Sequence, residues 1–187
     1  EESPRTIHKR SAALGIDLPD LIERGKVKVQ YIDPAEMSPG EFIDDVRAEV
    51  ATGETSVVVV DSLNGYLNAM PEERFLVLQL HELLAFLGQQ GVTSILVTAQ
   101  NGMFGPNIAA PVEVSYLADT VLLFRLYEHR GQLQQAFSVA KRRGGRHDRT
   151  IHQLIFGGER GIEIGEPLTH LRGVMSGIPE LSIAQSE

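Results

Sequence analysis

A layered α/β domain, with a mostly parallel sheet flanked by helices and C-terminal antiparallel β-hairpins, is the fold class this sequence predicts. Three features predict it. Val57-Val58-Val59-Val60 has no polar alternation, so it reads as a parallel strand covered on both faces. A long leucine-rich helical pattern then leads to a second apolar run, Ser94 to Thr98, in the order of a strand–helix–strand crossover. Beyond residue 120, apolar segments separated by glycines read as hairpins.

Taken in order, Ser3-Pro4 has the form of an N-cap and first helical residue, and Gly15 ends the helix. Leu18 to Arg24 reads as a short helix with Gly25 after its C-terminus. Val27, Val29 and Tyr31 alternate with Lys26, Lys28 and Gln30, which predicts a strand near the sheet edge. Ser38-Pro39-Gly40-Glu41 is a capping box, and Phe42, Ile43, Val46 and Val50 mark one face of the helix it opens, which stops by Gly53.

Pro71-Glu72-Glu73 opens the longest helix, proline needing no N–H there and the acids suiting the positive end of the dipole. Leu76, Leu80, Leu83, Leu84 and Leu87 form its apolar face, and His81 reads as a core or boundary histidine. Residues 102–112 carry two glycines and two prolines and read as a long loop at the ligand end of the sheet. Thr120 to Tyr127 turns at Gly131 into Gln135 to Ala140, and Ile151 to Phe156 pairs with Gly161 to Ile164. The tail after Pro179 is polar and is expected to fray.

Composition narrows the function classes. At 187 residues one domain is the natural count. Zero cysteines excludes disulfides and thiolate metal sites and suits a cytoplasmic setting. The apolar runs are too short to span a bilayer, so no membrane role is expected. A net charge of −8 disfavours a nucleic-acid binder, and any anion site must be local. The chain starts at Glu1 rather than Met, which fits an excised piece of a longer protein.

Asp61 ends the valine strand and is followed by Ser62, Asn64 and Gly65. A carboxylate at the carboxyl end of a parallel strand can hold Mg²⁺ through water, as in a Walker B element; an ordinary cap or turn residue has the same pattern. Glu1 and Glu2 are adjacent acids that either polarise a water as a pair or merely face a helix N-terminus. From Lys141 to Arg149 five cations fall within nine residues, and Gly144-Gly145 lets backbone N–H groups approach an anion. This favours a phosphate site over a solvated turn, although His147 alone reads as a surface residue. No G-x-x-x-x-G-K-[ST] occurs, so these residues supply no P-loop.

With Glu1-Glu2-Ser3-Pro4, VVVVDSLNG, ERFLVLQLHELLAFL, SYLADTVLLF and AKRRGGRHD in that order, the chain resembles the RecA-superfamily ATPase domain of KaiC and its bacterial relatives. The resemblance runs to about Pro179. It implies a RecA-like P-loop NTPase core at 1–179, the portion downstream of the Walker A loop, and a tail at 180–187. It also implies a ring, usually a hexamer of identical subunits, with ATP and Mg²⁺ between neighbours.

On this resemblance Glu1 and Glu2 are the paired catalytic glutamates, Glu1 also helping to hold Mg²⁺, and Asp61 is the Walker B aspartate. Lys141 and Arg143 reach the γ-phosphate of ATP held mainly by the neighbouring subunit, in the manner of an arginine finger. Arg142, Gly145, Arg146, His147 and Arg149 line the same nucleotide from across the interface, and Leu14 packs on the adenine. Ser115-Tyr116 falls at the family's pair of phosphorylated hydroxyl residues, with Ser kept and Thr replaced.

The resemblance implies slow ATP turnover driving signalling or timing, with autokinase activity at Ser115 and partners resembling KaiB or a signalling kinase. Without a P-loop these residues alone are expected to bind ATP weakly or not at all. Two other readings stand beside it. One is a RecA-like DNA-dependent recombination ATPase, which the net charge and the absence of Lys or Arg from Asn101 to Glu113 disfavour. The other is a non-catalytic interaction module.

Overall fold

The computed structural model describes residues 3–33, 36–68, 75–99, 116–158 and 161–182. They divide into two compact units, one comprising Glu1–Pro4 with Lys28–Ala99 and the other Arg5–Val27 with Gln100–Glu187. Pro71-Glu72-Glu73 and the loop at 102–112 lie outside the described residues.

Near the N-terminus, α1 (Pro4–Ala13) is followed by Gly15 at φ 75°, a left-handed conformation that glycine adopts without steric cost. In α2 (Leu18–Glu23) the Asp17 side chain accepts the Asp20 N–H at 3.2 Å, and Leu18 is buried.

The first unit is built on α3 (Pro39–Ala51), β1 (Val57–Asp61), α4 (Leu63–Asn68), α5 (Leu76–Gln89) and β2 (Thr93–Val97). The capping box of α3 forms as expected: Glu41 N–H donates to Ser38 Oγ at 3.3 Å, and Ser38 N–H donates to Glu41 Oε2 at 2.8 Å. These hydrogen bonds hold the Glu41 carboxyl below its ordinary pKa. Ile43 and Val50 of α3 close a core with Leu83 and Leu87 of α5 and Val92, against which Val58 packs. Arg47 lays its guanidinium carbon 5.5 Å from the centre of the Phe86 ring, a cation–π contact at the edge of that core.

β1 and β2 pair in parallel, Val57 opposite Thr93 through Asp61 opposite Val97. Contrary to the expectation of burial on both faces, exposure alternates along each strand. Val57 and Val59 are 50% and 56% exposed and Ile95 is 47% exposed, while Val58 faces the core. An unbroken apolar run requires two covered faces, and the described residues cover one.

The strand expected at Val27–Tyr31 does not form a ladder; this segment runs beside α3 instead. Lys28 Nζ pairs with Glu49 and Gln30 Nε2 donates to Asp45 Oδ2 at 3.3 Å, so the alternating polar residues serve helix carboxylates. His81 is exposed on α5, not at its core boundary.

The second unit carries β3 (Thr120–His129), β4 (Gln132–Arg142), β5 (His152–Gly158) and β6 (Gly161–Pro167), an antiparallel sheet in that order. Arg130 and Gly131, at φ 52° and 71°, form the two-residue turn between β3 and β4 that the strand twist favours. A bulge sets Val121 opposite Lys141 but Leu122 opposite Val139, leaving Ala140 as the extra residue.

One face of this sheet packs Tyr127 and Ala136 on Leu168, Leu171 and Val174; the Tyr127 hydroxyl donates to Gln134 Oε1 at 2.8 Å. The short strands β7 (Leu171–Arg172) and β8 (Glu180–Leu181) pair with each other, and Ser182 N–H donates to the His170 carbonyl at 2.9 Å. The first residues after Pro179 thus pair with β7, where Arg172 and Glu180 also form an exposed ion pair, and the rest of the tail lies outside the described residues. Among the described residues the parallel sheet has two strands and the antiparallel sheet four, so the parallel part is the smaller.

Candidate functional site

The first unit offers Asp61, exposed at the carboxyl end of β1, with Ser62 buried behind it. Asn64 clamps the neighbouring strand end: its Oδ1 accepts the Ala99 N–H at 2.8 Å and its Nδ2 donates to the Ala99 carbonyl at 3.0 Å. Both strand ends are thereby fixed at the edge where open α/β sheets bind ligands. An exposed carboxylate so placed has the oxygen donors that suit Mg²⁺.

In the second unit the basic stretch begins inside β4, just past the bulge at Ala140. A bulge of this kind re-aims the side chains that follow it. Lys141 is half-buried and donates from Nζ to the Ala118 carbonyl at 2.9 Å. The Arg143 N–H donates to the Asp119 carbonyl at 2.7 Å. Its guanidinium reaches Asp119 Oδ1 at 3.1 Å and the Tyr116 carbonyl at 3.0 Å. Both cations thus rest on residues 116–119. Arg142 is exposed opposite Thr120, and Gly144, at φ 81°, turns the chain away from the sheet.

Gly145, Arg146, His147, Asp148 and Arg149 line a shallow concavity of about 460 Å³. His147 Nε2 is shut off from water without a hydrogen-bond partner among the described residues, an unmet polar group of the kind a ligand can satisfy. Asp148 carries the one carboxylate of this loop. Its Oδ1 accepts the Thr150 N–H at 2.8 Å, and Thr150, followed by His152, pushes its pKa down to about 2. His152 lies with Nδ1 3.1 Å from the Gly165 carbonyl and Nε2 3.1 Å from Asp148 Oδ2. These two contacts, the carbonyl first, raise its pKa.

Leu14 is half-buried after α1, and its carbonyl lies where a side chain at Gly161 would have to fit. Asp61 belongs to one compact unit and Leu14 with the basic stretch to the other. Glu1, Glu2 and Ser115 lie outside the described residues. Sequence reading missed Asn64, Asp119 and the Asp148–His152 pair. Asp119 stands in the ADT-VLL segment, where an acid directly before a strand is the only sign of its partner.

Among the described residues no helix is long and apolar enough to cross a membrane, and no cluster of three metal-binding side chains occurs.

A family model described as "ATPase: KaiC" matches residues 1–169. The chain is 26% identical over 179 residues to the circadian clock oscillator protein KaiC of Thermostichus vulcanus, covering 96% of this chain and 34% of that protein. It is also 24% identical over 189 residues to the circadian clock protein KaiC3 of Synechocystis sp., covering 100% of this chain and 36% of that protein. The chain therefore spans about a third of the length of the curated relatives it matches. Since the family match extends over most of its 187 residues, this chain belongs to the KaiC family of ATPases.

Proposed function

We propose that this chain is part of a RecA-like ATPase domain, with a mostly parallel core sheet in the complete domain. It binds and slowly hydrolyses ATP between subunits of a homo-oligomeric ring, a hexamer by family likeness, in signalling or timing. The observation that carries the reading is the pair Lys141 and Arg143. In a chain of net charge −8 they stand just beyond a bulge, followed by two glycines. The partners described for them are main-chain carbonyls and one exposed carboxylate.

In this reading ATP is held mainly by one subunit and met by its neighbour's Lys141 and Arg143, whose charges oppose the charge developing on the γ-phosphate. Arg142, Gly145, Arg146, His147 and Arg149 line the nucleotide from the same side, and Leu14 packs on the adenine. Glu1 and Glu2 orient and deprotonate the attacking water, and Glu1 with Asp61 holds Mg²⁺. Bound Mg²⁺ supplies charge neutralisation at the phosphates. The relatives' names support a clock setting, and a signalling role with partners resembling KaiB or a signalling kinase rests on the family resemblance alone. By family likeness Ser115 is the candidate for self-phosphorylation.

Mixing mutant subunits in the ring-forming protein tests the division of labour. K141A/R143A rings and E1Q/E2Q rings should each be inactive, whereas mixed rings should recover ATPase activity at interfaces that join an intact acidic half to an intact basic half. If mixing restores nothing while rings still form, the residues do not work across the interface and the proposal fails.

A further inference from the structure

His152 sits between two acceptors. A carbonyl oxygen can only accept, so the 3.1 Å contact from Nδ1 to Gly165 requires a proton on Nδ1. The ionised carboxylate of Asp148 likewise only accepts, so the 3.1 Å contact from Nε2 requires a proton there too. Neutral imidazole carries one N–H; only the imidazolium makes both bonds. The ring is 20% exposed, whereas the Asp148 side chain is 63% exposed, so the partly sheltered cation is the anchor and the carboxylate the part drawn to it.

The position of this pair gives it consequence. His152 is fixed in the sheet, opposite Phe137 of β4 and Pro167 of β6. Asp148 belongs to the loop that also carries Arg146, His147 and Arg149. That loop forms no ladder, and among the described residues its bonds to the rest of the unit run through Asp148.

We infer that His152 is a positioning residue for the nucleotide-facing loop: as an imidazolium it ties Asp148, and with it residues 146–149, to β6, and on losing a proton it can serve only one of its two acceptors and loses the charge that draws Asp148, so its hold on the loop weakens. The inference rests on the nucleotide reading above and deepens it by adding control by pH. The charged groups facing the ring are Asp148 from the loop and Glu166 from β6, both favouring the cation. β4 presents the uncharged Phe137 in register.

A histidine whose pKa is raised on folding contributes its stabilisation fully below its ordinary value near 6.5, and the contribution is lost as pH rises through the raised value. Asp148, lowered to about 2, contributes above its ordinary value near 3.8 and stops contributing as pH falls through about 2. The clasp is therefore tightest across mildly acidic pH and loosens on the alkaline side.

The test uses the ring-forming protein. Nuclear magnetic resonance should show the His152 ring titrating above the ordinary histidine value, D148N should move that midpoint down, and exchange of the Thr150 amide should accelerate beyond intrinsic base catalysis through the same transition. Between pH 7 and pH 9 wild-type affinity for ATP should fall roughly 1.4- to fivefold, the range of an exposed ion pair. H152K, whose ammonium keeps its charge and can donate to both acceptors, should keep its affinity and controls for changes in ATP itself.

An ordinary or lowered His152 midpoint overturns the clasp. A raised midpoint with the same pH dependence of ATP binding in wild type and H152K overturns the positioning role. Absence of ATP binding at every pH, with the ring titrating as expected, overturns the nucleotide reading and leaves only a structural clasp.

Discussion

Replacing Asp119 with asparagine tests whether Arg143, the proposed arginine finger, is held back by its own chain. In the structure Arg143 makes an ion pair of 3.1 Å with Asp119, the two side chains being 60% and 77% exposed. Pairs this open to solvent contribute about 0.2–1 kcal/mol. D119N keeps the side-chain shape and an acceptor oxygen, and leaves the Arg143 bonds to the Tyr116 and Asp119 carbonyls in place. Fold stability should drop by under about 1 kcal/mol. If Arg143 must leave Asp119 to grip a neighbour's γ-phosphate, that same energy opposes binding, and removing it should tighten ATP binding about 1.4- to fivefold. Calorimetric titration of rings at low and high salt measures this, and the gain should shrink with salt as the ion pair is screened. Unchanged or weaker binding by D119N at low salt would refute the idea that Arg143 rests on a partner it must release.

Three further substitutions probe the scaffold, each read as a shift in a denaturant or thermal unfolding curve. G161A should destabilise by more than about 1 kcal/mol, because residue 161 adopts φ 78° and an added Cβ would collide with the Leu14 carbonyl. S38A removes the N-cap of α3 and should cost roughly 0.5–2 kcal/mol, with S38D close to wild type. L83A empties a site 1% exposed in the α3–α5 core and should cost about 2–5 kcal/mol, whereas L78A, at a position 54% exposed, should change stability by less than about 0.5 kcal/mol.

What could be read from the sequence was what is local. The α3 capping box joins residues three apart, and the Arg130-Gly131 turn is set by neighbouring backbone angles. Both sit where the residue types require. The valine run was legible as a parallel strand, but its degree of burial was not, because an apolar run records the environment a strand is suited to rather than what the described chain places over it. The segment at Val27–Tyr31 misled for a related reason: Lys28 and Gln30 alternate with apolar residues yet reach Glu49 and Asp45 on a helix. The basic stretch was conspicuous against a net charge of −8, but its partners were not. Asp119 lies 24 residues before Arg143, and His152 meets Asp148 across a loop and not along a helix, so no spacing rule points to either pair.

A cation that acts on a ligand held by another copy has to wait without one, and its resting partners decide whether it can respond. A deeply buried counter-ion would trap it, since separating such a pair costs about 3–5 kcal/mol. Complete solvation would leave its long side chain unordered, with about 2 kcal/mol of rotamer entropy to lose at the moment of binding. Arg143 avoids both extremes: two carbonyls fix its backbone and its fork, and the one carboxylate it meets among the described residues is mostly in water. Charge-assisted bonds to phosphate contribute about 1.5–3 kcal/mol each, against at most about 1 kcal/mol for the exposed pair given up. In the proposed reading the exchange from Asp119 to a neighbour's γ-phosphate would therefore run downhill, and it would reverse when the phosphate departs.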